Sequence, residues 1–214
     1  MKMCTELYAQ RRLAAADDVL WSTGQTVRVQ LYEGNNRQRD MVVEFASEWM
    51  EHGNIKLEFT VISGIIRVGF RAGQGSWSYV GRSALVVDNR TPTMNFGWLT
   101  DDCSEEEARR VILHEFGHAL GMIHEHQSPA ASIPWDEDKL YEFYAGPPNF
   151  WSREVIYENI VKKYHNGITN SIFDPESIML YPIVNELTVG DYEVGWNREL
   201  SHQDKEFFGN VYPS

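Results

Sequence analysis

The residues His114-Glu115-Phe116-Gly117-His118-Ala119-Leu120-Gly121-Met122-Ile123-His124 form an H-E-x-x-H-x-x-G-x-x-H string. From the chain's own composition, the full string should arise by chance only about 0.00005 times. It dictates local structure as well as chemistry. On a helix, His114 and His118 are four positions apart and stand on one face. Glu115 lies about 100° around the helix, where it reaches a water beside a metal without ligating it. Gly121 is free to adopt the left-handed conformation that ends a helix, so the chain can turn and bring His124 back as a third ligand. Three imidazoles leave one position of a tetrahedral zinc site open, as catalysis requires. Zinc lowers the pKa of water at that position toward neutrality, and Glu115 is placed to take the proton.

The competing reading is an amphipathic helix with incidental histidines; Gly121 and His124 weigh against it. The flanks fit a buried catalytic helix. Ser104 and Glu107 have capping-box spacing, and three glutamates, Glu105, Glu106 and Glu107, suit a helix N-terminus. Val111, Ile112, Phe116, Ala119 and Leu120 supply its apolar surface.

A second cluster, Ser177-Ile178-Met179-Leu180-Tyr181, follows downstream. Together with the zinc string it resembles the metzincin zinc endopeptidases, in which a Met-turn lies beneath the three histidines. Glu125 directly after the third histidine, and Tyr181 two residues after the methionine, resemble the astacin branch. The resemblance implies a structural base at Met179 and a structural role for Glu125. It makes Tyr181 the candidate donor to the transition-state oxyanion, a role a phenol can fill where water is excluded. Leu180 departs from the histidine that many astacins carry there. Ser76-Trp77-Ser78-Tyr79-Val80-Gly81-Arg82 resembles the astacin antiparallel edge strand, which binds an extended peptide as an added strand. Trp77, Ser78 and Tyr79 are its candidate cleft residues, with ordinary sheet packing as the alternative for the aromatics. Leu200-Ser201-His202-Gln203-Asp204 resembles the family's C-terminal helix, with Ser201 and Asp204 as its cap.

Two departures matter. Astacin domains usually carry two disulfides, and this chain has two cysteines in all, Cys4 and Cys103. They fit a reducing compartment or a single Cys4–Cys103 bridge. A Cys4 thiolate could also occupy the open zinc position and hold the enzyme latent, as in some metzincin zymogens; the alternative is a free thiol on a loose terminus. The loop after the third histidine, His126-Gln127-Ser128-Pro129, also differs from the astacin pattern. His52, His126, His165 and His202 are assigned as non-ligands, with His126 in a surface or supporting position.

The 214 residues suit one catalytic domain, with an N-terminal lobe to about residue 121 and a C-terminal lobe over about 122–214. A net charge of −12 argues against nucleic acid or an anionic membrane as partner. No apolar stretch approaches the roughly 20 residues of a membrane span. The first twenty residues, with Arg11, Arg12, Asp17 and Asp18, do not form a signal peptide. Family resemblance implies an extracellular location and the absent signal a cytoplasmic one, so location stays open. A monomer is expected.

The periodicity predicts strands over 26–32, 56–62, 65–70 and 93–98, and helices over 36–51, 136–144 and 151–164. This alternation predicts an α+β, zincin-like fold. It has a twisted mixed sheet, mainly parallel with an antiparallel edge strand, packed helices, and a cleft between the lobes. The expected activity is zinc-dependent hydrolysis of peptide bonds with one catalytic Zn²⁺. The alternative is a zinc-stabilised peptide- or protein-binding module without hydrolysis, for which an intact Glu115 has no use.

Overall fold

The computed structural model describes residues 5–7, 19–31, 33–147, 149–164 and 172–214. Its sheet comprises β1 (Thr5–Leu7), β2 (Thr26–Gln30), β3 (Lys56–Thr60), β4 (Ile66–Gly69), β5 (Ser76–Tyr79) and β6 (Met94–Phe96). The spatial order is β1-β5-β6-β4-β2-β3. Strands β3, β2, β4 and β6 run parallel, and β5 lies antiparallel to β6. The mixed sheet of the sequence reading is therefore present. All four residues of β4 are buried, as expected for a strand covered on both faces, whereas β2 alternates exposed and buried positions before Gln30.

The edge of the sheet differs from expectation. Strand β5 is not the outermost strand, because β1 pairs with it in parallel, setting Thr5 opposite Trp77, Glu6 opposite Ser78 and Leu7 opposite Tyr79. An unpaired strand edge offers a row of free N–H and C=O groups, and here the chain's own backbone takes them up.

Helix α1 (Asn36–Ser47) begins with a full capping box between Asn35 and Gln38. Its last predicted turn tightens into a 3₁₀ segment over Glu48–Glu51. Helix α2 (Glu105–Ala119) packs on α1 and against β5 and β6. Beyond it come α3 (Glu137–Ala145) and the short α4 (Arg153–Ile156), then α5 (His202–Val211). The single helix predicted over 151–164 is replaced by α4 and a π-helical turn, Tyr157–Val161. The reason is tertiary. Gln127 Nε2 donates to the carbonyls of Glu158 and Lys162, and His126 Nε2 donates to that of Asn159, so this segment's carbonyls are drawn into the 126–127 loop.

The principal apolar cluster joins Trp49, Phe96, Leu113 and Phe116 to Met179, Phe208 and Tyr212. Residues after 177 thus complete the core begun by the first 120. A second cluster gathers Leu140, Tyr144, Ile156, Ile160 and Leu187 around Tyr181. Among the described residues, no helix is long and apolar enough to cross a membrane.

Candidate metal centre

Helix α2 is built to hold its C-terminal end still. At its start, Ser104 Oγ accepts from the Glu107 N–H, and the three glutamates occupy the first turn at the positive end of the helix dipole. The reciprocal half of the predicted capping box is missing. The Glu107 carboxylate turns instead to Arg110, at 2.6 and 3.0 Å, because a guanidinium one turn away is a stronger partner than a backbone N–H. At the other end Gly121 has φ +96°, the left-handed conformation expected of it. Its N–H donates to His118 O and that of Met122 to Gly117 O. The Trp21 indole donates to Ala119 O at 2.8 Å and the Tyr212 phenol to Leu120 O at 2.7 Å. Carbonyls that a helix end would otherwise orphan are thereby satisfied.

The three histidines converge. One ligand atom from each of His114, His118 and His124 lies within 4.8 Å of the others, and they form the sole such group among the described residues. His118 Nδ1 donates to Met122 O at 2.9 Å and His114 Nδ1 to Ile178 O at 2.7 Å. Carbonyls only accept, so these bonds fix the Nδ1–H tautomer and leave each Nε2 lone pair for a metal. His118 Nε2 and His124 Nε2 are 3.2 Å apart. Tetrahedral zinc with Zn–N near 2.0–2.1 Å sets its ligands about 3.3–3.4 Å apart, so the residues present fit the ion. Burial, then the neighbouring His118 and His124, hold His114 well below the ordinary imidazole range, in the neutral form that coordination needs.

Glu115 is 1% exposed on the same helix. Tyr181 packs against the imidazoles, its ring centroid 4.1 Å from His124 and 5.8 Å from His114. Met179 lies under α2. A Cβ built on Gly117 would fall 2.3 Å from Met179 Sδ and 3.2 Å from Trp49 Cζ2. Gly117 is therefore a contact position that sequence reasoning passed over; a glycine in the interior of a long helix was the signal.

His126 is no surface residue: it is 1% exposed and stacks on Tyr181 at 4.9 Å with a 24° interplanar angle. Its place two residues after the third histidine left a surface or a supporting position open, and the burial and the ring contact correspond to the supporting one. Glu125 donates its backbone N–H to Met179 O at 3.0 Å, and its Oε1 accepts from Asp174 N at 3.0 Å. Burial pushes its carboxyl up to about 7, opposed by the Asp174 N–H. Trp77 and Tyr79 are half-buried on β5, edge to face at 6.1 Å, while Ser78 is fully buried. Cys103 keeps a free thiol, which burial pushes up in pKa. Cys4 and His165 lie outside the described residues.

Comparison with known proteins agrees with this geometry. The family model described as Astacin, a peptidase family, matches residues 15–187. Two solved structures of myroilysin are each 42% identical. One superposes with a TM-score of 0.90, covering 94% of this chain and 98% of its own, and the other with 0.75, covering 100% and 91%. High choriolytic enzyme 1, a hatching-enzyme zinc protease of the medaka Oryzias latipes, shares the fold at a TM-score of 0.63 and 14% identity, covering 92% of this chain and 95% of its own. Among curated protein sequences, none matches.

Proposed function

The chain belongs to the astacin family of zinc metalloendopeptidases, and from that premise we propose that it cleaves extended peptide segments with Glu115 as general base and Tyr181 as oxyanion donor. The observation that carries this reading is the packing of Tyr181 against the imidazoles of His114 and His124, at the end of the helix that bears Glu115. His114, His118 and His124 would hold the ion. Zinc there would supply Lewis acidity, polarising the scissile carbonyl and acidifying the attacking water.

The rest falls to the chain's own groups. Glu115, removed from bulk solvent, accepts the water's proton and returns it to the leaving amine. The Tyr181 hydroxyl donates a hydrogen bond to the oxygen on which negative charge develops, where little water competes for it. Strand β5 offers backbone groups to an extended substrate, with Trp77, Ser78 and Tyr79 along the strand. Because β1 occupies that edge, substrate entry requires β1 to leave. A thiolate from Cys4, the residue preceding β1, remains our candidate for holding the enzyme latent; retained zinc with unchanged activity in Cys4→Ser would remove it.

The test of the mechanism is Glu115→Gln. It should keep about one zinc per chain and lose cleavage of a peptide library followed by mass spectrometry. Unimpaired turnover would sink the assignment.

A further inference from the structure

We propose that Asp204, on α5, positions the zinc ligand His114 through a chain of hydrogen bonds that runs across one peptide unit of the Met-turn. The inference rests on the zinc reading of the site and adds to it a residue remote from the reaction.

The chain is continuous. His114 Nδ1–H donates to Ile178 O at 2.7 Å. That carbonyl belongs to the Ile178–Met179 peptide, whose N–H donates to Ser177 Oγ at 3.0 Å. The Ser177 hydroxyl donates in turn to Asp204 Oδ1 at 2.6 Å. Every donor points the same way, from imidazole through amide and hydroxyl to carboxylate, so each bond polarises the next. A second arm braces the turn directly, since Ile178 N–H donates to Asp204 Oδ2 at 2.8 Å. Asp204 is itself held by the Ser201 N–H at 2.9 Å and by its own N–H to Ser201 Oγ at 2.9 Å.

Metal-bound histidines commonly give their second N–H to a carboxylate or carbonyl, which fixes the tautomer and raises ligand basicity. Here the carbonyl and the carboxylate are joined in series. Asp204 is 9% exposed and Ser177 2%, so the chain runs where solvent competes little for its bonds. A helix needs only the Ser201–Asp204 box for its cap; the bonds to Ser177 and Ile178 exceed that need and reach the metal site.

The experiment measures zinc affinity by competition with a chromophoric chelator, beside thermal stability and the absorption spectrum of the cobalt-substituted protein. Ser177→Ala and Asp204→Asn should each weaken zinc about 10–100-fold and shift the cobalt spectrum. The double variant should bind zinc no more weakly than Asp204→Asn alone, because the groups act in series. Ser201→Ala removes the Oγ that caps α5, and with it the bond to Asp174, but breaks none of the bonds running from His114 to Asp204; it should lower Tm yet hold zinc within about twofold of wild type. Ser177→Ala decides the matter where Asp204→Asn does not fold. The proposal is overturned if Ser177→Ala keeps wild-type zinc affinity, or if Ser201→Ala weakens zinc as much. Lack of stoichiometric zinc in the wild-type protein would instead overturn the parent reading of the site.

Discussion

Replacing Gly117 with alanine sets two opposing effects against each other, and the structure gives the size of both. Glycine inside a helix is unfavourable relative to alanine by about 1 kcal/mol, so helix propensity alone would make Gly117→Ala stabilising. The new methyl would lie 2.3 Å from Met179 Sδ, 3.1 Å from Met179 Cε and 3.2 Å from Trp49 Cζ2. Met179 is 4% exposed and Trp49 1%, so neither side chain has open space to retreat into. Overpacking of this kind costs about 1–3 kcal/mol, which leaves a net loss on the order of 1 kcal/mol. For a domain of this length that lowers Tm by about 2–4 °C, read by calorimetry on the zinc-free protein. The decisive measurement repeats the substitution in a Met179→Ala background. With the thioether gone the clash largely disappears and the helix gain remains, so Gly117→Ala should there raise Tm. The same loss in both backgrounds would refute the claim that Met179 dictates glycine at this position.

Three other measurements bear on the site. Tyr181→Phe keeps the packed ring but removes the hydroxyl, and should lower kcat by about 10–1000-fold with little change in KM; an effect confined to KM would move Tyr181 from catalysis to substrate binding. Tyr212→Phe leaves the Leu120 carbonyl without its buried donor and should cost about 1–3 kcal/mol in urea melts; an unchanged midpoint would mean that the cap of α2 is held elsewhere. Removing zinc with a chelator should abolish cleavage and lower Tm, and restoring it at about 100 times its Kd should return about 2.7 kcal/mol. Cleavage that survives chelation would contradict metal-dependent chemistry.

The parts of the site legible in the sequence are those fixed by short-range spacing. His114, His118, Gly121 and His124 are bound to one another by helix geometry and one left-handed residue, so their pattern carried its own structure. Ser177 to Tyr181 became legible because the resemblance supplied a place beneath the histidines. What escaped is set by contacts between distant segments. His126 reads equally as a surface or a supporting residue until Tyr181 and the carbonyl of Asn159 arrive around it. Glu107 fits a capping box until Arg110 competes for its carboxylate. The pairing of β1 with β5 joins segments about seventy residues apart, and three residues of strand carry no pattern from which to foresee it. The π-helical turn escaped likewise, because its bonds to Gln127 leave no mark on local periodicity.

The link between Leu120 and Tyr212 has a consequence for synthesis. All three zinc-binding histidines lie in residues 114–124, yet the carbonyl that orients His114 comes at Ile178, and the phenol that caps α2 comes 92 residues after the carbonyl it serves. At about 5–20 residues per second, a ribosome takes roughly 5–20 s to cover that distance. During that interval the nascent chain has its ligands but neither the turn beneath them nor the tie that ends their helix. A protease arranged in this way gains its cutting power late, when the segments that surround the metal have already been made.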